Sequence, residues 1–247
     1  FQGAEKIRQI AAAIHLEKFE TDVWARFPLR ICVSERDANL MRNRCGTSKV
    51  VVADNGVDAE SIPYRRPSGR PRVLLVGALD YLPNEDAAYF LLGDIMPLVW
   101  EEIPEFQVAI AGRSMPSSLI RAAAGEPRIL LYDTPEEIEP LARNCFASVV
   151  PLRMGSGTRL KILEAAARGL PVVTTSKGCE GLRSEIIEHL VVADTPDAIS
   201  IELCRLWRDE QTRLRFSENA RRVAEKLYHW PLVLKPVEEA LCELVGP

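Results

Sequence analysis

Residues 149–173 of the chain read VVPLRMGSGTRLKILEAAARGLPVV and hold a complete strand–turn–helix–strand unit. One apolar run ends at Val150, small residues follow over 155–158, and a second apolar run begins at Pro171. Between them, residues 158–168 have the spacing of apolar side chains that is typical of an amphipathic helix. The stretch therefore predicts two parallel strands joined by a helix.

The same rhythm extends along the chain from about residue 71. Short apolar runs alternate with longer segments of helical periodicity, over 86–100, 135–144 and 158–168. The runs are continuous rather than alternating, which is typical of strands buried on both faces. We therefore predict an α/β fold with a doubly wound parallel, Rossmann-like sheet, whose ligands bind beyond the carboxyl ends of the strands. The six predicted strands are Arg72–Val76, Phe106–Ile110, Arg128–Tyr132, Phe146–Val150, Pro171–Thr175 and His189–Val192.

The N-terminal quarter of the chain reads as the last elements of a sheet whose earlier strands are absent. It predicts a helix over 4–20 and two strands, over 29–33 and 49–52. Between the strands, Ser34 followed three residues later by Asp37 predicts the start of a second helix. Either the chain is a truncated piece of a longer protein or this first part is genuinely reduced. The start of the chain, Phe-Gln-Gly, is typical of a cleaved protease tag and favours truncation.

Residues 63–71 (PYRRPSGRP) are rich in proline and arginine. Because proline lacks the backbone N–H that pairs neighbouring strands in a sheet, this stretch predicts a linker, which we assign to residues 64–71. The last fifty residues predict helices. On the final helix, leucine and valine recur every three or four residues, and we expect this stripe to be partly exposed. The stripe consists of Leu234, Val237, Leu241 and Leu244.

Composition excludes several classes of protein. The net charge is −4, from 31 Lys and Arg against 35 Asp and Glu, which argues against a general nucleic-acid binder. The six cysteines have no metal-type spacing and the three histidines lie near no Ser or Cys motif, so neither a metal cluster nor a nucleophilic triad is indicated. With no apolar run near the ~18 residues of a membrane span and no secretory signal, we expect a cytoplasmic protein with reduced thiols.

The Gly-Ser-Gly-Thr turn at 155–158 is the candidate binding site. Glycines let a backbone approach a ligand closely, and the free N–H groups of a helix N-terminus favour an anion, here flanked by Arg153, Arg159 and Lys161. A diphosphate fits this pattern. A turn of small residues with solvated basic side chains explains it about equally well, because a lone G-x-G is a weak motif.

Glu164 lies on the predicted helix, two turns after the glycine turn. A carboxylate there can accept hydrogen bonds from two neighbouring hydroxyls, as acidic residues do for a ribose. The alternative is an ion pair on the helix surface with Lys161 or Arg168, at i−3 and i+4. The residues alone leave both interpretations open.

Residues 164–173, EAAARGLPVV, resemble the donor-site helix of GT-B glycosyltransferases of the large retaining family 4, which includes sucrose synthases. Further segments are similar to parts of that family, so the resemblance covers nearly the whole chain. It implies a GT-B fold and the transfer of a sugar from a nucleoside diphosphate sugar to an acceptor hydroxyl, in polysaccharide or glycolipid assembly. The further segments are residues 33–37, 55–58, 76–79 with 83–87, and 179–182.

The resemblance also implies a donor site without a metal or another cofactor. Glu164 would bind the ribose hydroxyls, and the amides of Gly157 and Thr158 together with Gly77 would face the diphosphate. The implied donor-binding set is Gly77, Gly155, Ser156, Gly157, Thr158, Arg159, Lys161 and Glu164, with Arg113 and Asp133 near the base.

Three residues depart from the family's pattern. Ser156 stands where many relatives have a Glu that contacts the donor sugar, and Ala78 and Pro83 stand where relatives have an Arg and a Lys that pair with the diphosphate. Arg159 and Lys161 are the expected replacements, because a departing nucleoside diphosphate gains negative charge that cations stabilise. The alternative is that both lie solvated at the start of the helix.

By this resemblance, residues 1–63 would be the remnant of an N-terminal acceptor-side domain, 64–71 the linker, 72–228 the nucleotide-sugar-binding domain, and 229–247 a C-terminal helix crossing back toward the first domain. Catalytic groups are expected partly in the missing N-terminal part. The implied partners are a nucleotide-sugar donor and a saccharide or lipid-linked acceptor. Neither a nucleic-acid partner nor a transmembrane segment is expected. Peripheral contact with an inner membrane and the oligomeric state stay open. The alternatives are a non-catalytic nucleotide-binding or scaffolding module and a GT-B sugar-nucleotide epimerase.

Overall fold

The computed structural model describes residues 2–46, 49–67, 69–155 and 157–245. The strands are β1 (Leu29–Cys32), β2 (Lys49–Val52), β3 (Arg72–Val76), β4 (Gln107–Gly112), β5 (Ile129–Asp133), β6 (Ala147–Val150), β7 (Val172–Thr174) and β8 (Val191–Val192). The helices are α1 (Gln2–Trp24), α2 (Glu35–Cys45), α3 (Leu82–Phe90), α4 (Met96–Glu102), α5 (Ser117–Ala123), α6 (Glu139–Ala142), α7 (Leu160–Arg168), α8 (Ser184–Ile187), α9 (Pro196–Arg208), α10 (Glu210–Leu227) and α11 (Trp230–Val245), with a π-helix (Leu91–Ile95) between α3 and α4.

The chain divides into two compact units. The first comprises the residues up to Asp54 and those from Val233 onward, and the second comprises residues 55–232. In the first unit, β1 and β2 pair in parallel. Ser34 caps α2, because its Oγ accepts a hydrogen bond from the Asp37 amide at 3.1 Å, which confirms the predicted start of this helix.

The second unit is built on one parallel sheet with the strand order β5-β4-β3-β6-β7-β8. Each predicted apolar run forms one of these strands, with ends that lie within two residues of the predicted ones. The side chains of β6 and β7 are buried throughout, which is why their sequences are continuously apolar or small rather than alternating. The prediction of a doubly wound α/β fold is confirmed.

The helix predicted over 86–100 is instead three pieces, α3, the π-helix and α4. Pro97 lies in the first turn of α4. Because proline has no N–H to donate to a carbonyl four residues earlier, an uninterrupted α-helix cannot pass through this position without losing a hydrogen bond. The π-helix ends at Ile95, two residues before Pro97, and such widened turns occur where the regular hydrogen-bond pattern of an α-helix is interrupted.

Arg221 on α10 donates hydrogen bonds to backbone carbonyls of the segment that precedes β3. Its Nη1 donates to the carbonyl of Ile62 at 2.8 Å and to that of Ala167, and its Nη2 donates to the carbonyl of Ala59 at 2.6 Å. One guanidinium therefore joins α10, the end of α7 and the segment around residue 60. These contacts all lie within the second unit.

Gly169 ends α7 at the place where the predicted linker crosses it. Its φ is +80°, and a Cβ built on it would lie 2.4 Å from the carbonyl oxygen of Arg65. The Arg65 amide also donates to the Arg168 carbonyl at 3.1 Å. Residues 64–67 thus belong to the second unit, which begins at Asn55. The roles assigned to the predicted domains stay predictions.

The final helix carries the predicted apolar stripe. Leu234, Leu241 and Leu244 are exposed by 41–51%, whereas Val237 is half-buried. Among the residues that the structure describes, we find no helix with the length and apolar character needed to span a membrane.

Candidate functional site

The direction of strand order reverses between β3 and β6, at the centre of the sheet. In open α/β sheets, ligands bind in the crevice outside the carboxyl ends of the strands at such a reversal. Gly77 directly follows β3, and residues 151–159 connect β6 to α7. The topology therefore brings together, at one crevice, the two segments that carry most of the predicted site.

Gly112 sets the position of the loop after β3. The Gly77 amide donates to the Ala111 carbonyl at 3.0 Å, and a Cβ built on Gly112 would lie 1.8 Å from the Gly77 carbonyl oxygen. A side chain at residue 112 would therefore displace the backbone of Gly77. Sequence reasoning missed this requirement, and the signal was a glycine that directly follows a buried apolar run.

Lys161 reaches across the crevice from the first turn of α7. Its Nζ donates to Asn84 Oδ1 at 2.6 Å, and Asn84 Nδ2 donates to the Ala78 carbonyl at 2.9 Å. A Cβ built on Gly77 would lie 2.8 Å from the Lys161 Nζ. The ammonium thus lies against the backbone of the loop after β3, beside the position where the family pattern has a cation and this chain has Ala78. Asn84 was not among the predicted site residues.

The pKa of Lys161 is lowered from 10.5 to about 8. Burial is the largest cause, the charge of Arg159 adds to the shift, and the carboxylate of Glu164 opposes it. The side chain is half-buried, so part of its hydration is lost and the charged form is less favoured than in water. Lys161 is therefore mostly charged at pH 7 but titrates within reach of physiological conditions.

Arg159 lies buried at the glycine turn, with 8% of its surface exposed. A Cβ built on Gly155 would lie 3.0 Å from Arg159 Nη2 and 3.2 Å from Pro83 Cγ. The guanidinium, the turn and Pro83 are therefore packed together. Burial lowers the pKa of Arg159, with Tyr81 opposing the shift, but a guanidinium stays charged at any physiological pH.

The backbone conformation of the turn explains why residues 155 and 157 are glycines. Gly155 has φ +99° and Gly157 has φ +84°, a region that residues with a side chain rarely adopt. Ser156 lies outside the described residues, so its predicted role stays a prediction. Thr158 Oγ1 donates to the Gly181 carbonyl at 3.5 Å, which links the turn to the loop after β7.

Two threonines fasten the loop after β6. Thr174 Oγ1 donates to the Val150 carbonyl at 2.9 Å, and Thr175 Oγ1 donates to the Leu152 carbonyl. Thr175 Oγ1 also accepts from the Gly178 amide at 2.9 Å. These hydrogen bonds hold the ends of β6 and β7 together, so the backbone that leads into the glycine turn is fixed. Sequence reasoning did not single out these hydroxyls.

Arg153 has a partner of its own. Its guanidinium binds both carboxylate oxygens of Asp86, at 2.6 and 3.0 Å, and lies 4.3 Å from the ring centre of Phe90. The hydrogen bond and charge of Asp86 raise the pKa of Arg153. The charge of Arg153 is thus already compensated by an acidic side chain.

The position of the Glu164 carboxylate is compatible with both interpretations of this residue. Its carboxylate lies 3.5 Å from Arg168 Nη1, as the ion-pair interpretation expects, whereas Lys161 turns to Asn84 instead. The Glu164 side chain is also 44% exposed and lines a cavity with Lys161 and with Val76 at the end of β3. An exposed carboxylate at the edge of the crevice leaves the ribose interpretation available.

The two residues expected near the base lie at the ends of β4 and β5. Arg113 is 67% exposed at its side chain, and its Nε lies 3.7 Å from Asp80 Oδ1. Asp133 Oδ1 accepts from the Met115 amide at 3.3 Å. Both residues stand at the carboxyl edge of the sheet, on the β5 side of the crevice. Within the described residues, neither side chain makes a hydrogen bond or an ion pair with the turn at 155–158.

A cavity of about 530 Å³ lies elsewhere, along α4 and α9. Its arginines are both paired, Arg205 with Glu202 at 2.6 Å and Arg208 with Glu102 at 2.9 Å. Paired arginines offer little net attraction to an anion. The crevice between β3 and β6 is therefore the better candidate.

Comparison with known proteins gives the family context. Residues 70–209 match the family model described as Glycosyl transferases group 1. A curated relative, described as an uncharacterized 44.6 kDa protein in the cps region of Klebsiella pneumoniae, is 28% identical over an alignment of 130 residues. The alignment covers 49% of this chain and 33% of the relative. The chain thus spans about a third of the length of that relative.

Solved structures share the fold. Anabaena Alr3699/HepE in complex with UDP has a TM-score of 0.75 and 14% identity, covering 92% of this chain and 67% of that one. A S. aureus TarM mutant in complex with Fondaparinux, alpha-GlcNAc-glycerol and UDP has a TM-score of 0.73 and 14% identity, covering 90% of this chain and 45% of that one. At these identities, the likeness establishes the α/β fold.

Proposed function

Because the chain belongs to the Glycosyl transferases group 1 family, we propose that its β3–β6 crevice binds a nucleoside diphosphate sugar and that the protein transfers the sugar to an acceptor hydroxyl. One observation carries the proposal. Lys161 and Arg159 both leave the start of α7 and lie at the backbone that surrounds the crevice, beside Gly77 and Gly155. Two positively charged side chains can pair with the negative charges of a diphosphate, and the glycines beside them let the ligand approach the backbone closely.

The two cations account for the chain's departures from the family pattern. Lys161 lies against Gly77, next to Ala78, and Arg159 packs near Pro83. A positively charged side chain therefore lies near each of the two positions, 78 and 83, at which the family pattern has an Arg and a Lys. As the bond to the sugar breaks, negative charge grows on the departing nucleoside diphosphate, and fixed cations in a partly buried site stabilise it. The proposal assigns this role to these residues and to no metal ion.

The finer assignments are also proposals. Glu164 would accept hydrogen bonds from the ribose, and the amides of Gly157 and Thr158 would face the diphosphate. We propose the retaining chemistry of family 4 from the resemblance of residues 164–173 to that family. UDP bound by Alr3699/HepE and TarM supports UDP as the first nucleotide to test, and the cps-region relative supports a role in polysaccharide assembly.

Calorimetric titration of the chain with UDP, GDP and dTDP tests the proposal. We expect at least one of them to bind, and the corresponding nucleoside monophosphate to bind more weakly, because it lacks the phosphate that meets Lys161 and Arg159. Chemical-shift changes on binding should center on Gly77 and residues 155–161. Changes confined to another face of the sheet, or equal affinity for the monophosphate, would contradict the proposal.

Replacing Glu164 with Gln should weaken UDP binding roughly tenfold if the carboxylate binds ribose, because a hydrogen bond to a charged group is worth about 1.5–3 kcal/mol. The free energy of unfolding should change by less than about 1 kcal/mol, because the Glu164 side chain is 44% exposed in its pair with Arg168. Glu225→Gln is the matched control, since Glu225 pairs with Arg221 at i,i+4 and is 48% exposed. Unchanged UDP affinity in Glu164→Gln would support the surface ion pair instead.

UDP affinity should fall as the pH rises through about 8, because the pKa of Lys161 lies there in the free protein. Below this pH the ammonium is charged and attracts the diphosphate, and above it the amine is neutral. The terminal phosphate of UDP titrates near pH 6, so its own charge is constant over this range. Lys161→Arg, which stays charged, should remove the fall. A wild-type affinity that is constant from pH 7 to 9 would show that Lys161 does not contact the diphosphate.

A further inference from the structure

Asn84 connects the two sides of the crevice. It lies in the first turn of α3 and is 8% exposed. Its Nδ2 donates to the Ala78 carbonyl at 2.9 Å and its Oδ1 accepts from Lys161 Nζ at 2.6 Å. Because a lysine ammonium only donates and a carbonyl only accepts, these partners determine the orientation of the amide. Asn84 therefore ties the loop after β3 to α7.

This contact determines where the Lys161 charge lies. A Cβ built on Gly77 would lie 2.8 Å from both the Lys161 Nζ and the Asn84 Nδ2. An ammonium has three N–H donors, so it can bind Asn84 and still donate to a phosphate oxygen. A long lysine side chain loses rotamer freedom when it is fixed by a ligand, and a side chain that is already fixed avoids that loss.

We propose that Asn84 is a positioning residue, which holds the Lys161 ammonium against Gly77 before the nucleotide binds. The inference rests on the proposed function, because the nucleotide is what the ammonium would meet. The charged groups that act on Lys161 in the free protein are Arg159 and Glu164, both from its own side of the crevice. Asn84 is the neutral group that holds it from the side of α3.

A purely structural role is the alternative. The bond from Asn84 to Ala78 closes the turn between β3 and α3, and it could stabilise that turn whether or not Lys161 is present. The two roles differ in one respect. A positioning residue affects UDP affinity only while Lys161 is there to be positioned, so the effects of the two substitutions are not additive.

The test combines Asn84→Ala and Asn84→Asp with Lys161→Ala. We expect Asn84→Ala to weaken UDP binding roughly tenfold in the wild-type background and to add nothing in the Lys161→Ala background. Asn84→Asp places a carboxylate beside the ammonium, which raises the pKa of Lys161. The pH at which UDP affinity falls should therefore move above about 8, and the ¹⁵N-detected titration of Lys161 in the free protein should move with it.

Asn144→Ala is the matched control, because the Asn144 Nδ2 also donates to a backbone carbonyl, that of Pro140, at 2.9 Å. It should change neither UDP affinity nor the titration of Lys161. Equal weakening by Asn84→Ala in both backgrounds, or an unmoved titration in Asn84→Asp, would overturn the inference alone. A wild-type chain that binds none of UDP, GDP and dTDP would overturn the proposed function, and this inference with it. Should Asn84→Ala not fold, the smaller and still neutral Asn84→Ser takes its place in the same two backgrounds, with the same outcomes.

Discussion

Lys161→Ala is expected to weaken UDP binding about 10- to 100-fold, since hydrogen bonds to charged groups are worth about 1.5–3 kcal/mol. The substitution removes the cation that lies closest to the Gly77 backbone and leaves Arg159 in place. Calorimetric titration at pH 7 measures the effect, because there the wild-type ammonium is charged. Among the single substitutions considered, we expect this one to cost the most affinity.

The same substitution should not lower the stability of the protein. The pKa of Lys161 falls from 10.5 in water to about 8 in the folded chain, so the unfolded chain binds this proton more tightly. The free energy of unfolding therefore rises between pH 8 and 10.5, and the charged lysine opposes folding below pH 8. Lys226→Ala, at an exposed lysine on α10, is the control for charge loss. Similar UDP affinities for Lys161→Ala and Lys226→Ala would refute the assigned role.

Gly112→Ala is expected to lower the free energy of unfolding by about 3 kcal/mol, the upper range for an overpacked site. The added Cβ would lie 1.8 Å from the Gly77 carbonyl oxygen, which is backbone and cannot swing away as a side-chain end can. The loop after β3 must move, and the crevice moves with it. UDP affinity should therefore fall together with stability, as measured by urea unfolding and calorimetry.

Gly93→Ala is the matched control for Gly112→Ala. Gly93 lies in the π-helix, and a Cβ built on it meets no heavy atom within 4 Å among the described residues, leaving aside the helix's own backbone. Alanine is favoured over glycine inside helices, so stability should stay equal or rise slightly. If Gly112→Ala behaved like Gly93→Ala in both measurements, the close approach of residues 77 and 112 would not constrain the crevice.

The sheet could be predicted from the sequence because its signals are local. Strands such as β6 and β7 are buried on both faces, and their apolar runs show this without reference to any distant residue. The same holds for the cap of α2, where Ser34 and Asp37 are three residues apart. The glycine turn at 155–158 was likewise visible as a break between a strand and a helix.

What the sequence could not show are partners that lie far apart in the chain. Lys161 and Asn84 are separated by 77 residues and Arg153 and Asp86 by 67. Both basic side chains flank the same turn, and charge alone does not distinguish them. The fold gives Arg153 a carboxylate and Lys161 a neutral amide, so only the second keeps its charge uncompensated by its hydrogen-bond partner.

The contacts of Arg221 bear on how the chain can be dissected. A fragment that starts at the proline-rich segment, at residue 64, would lack the carbonyls of Ala59 and Ile62 that accept from the guanidinium. The Arg221 side chain is only 12% exposed, so water could not fully replace them, and an unsatisfied charged donor is costly. A recombinant fragment of the second unit should therefore begin at Asn55, and a split-protein complementation pair should be cut there.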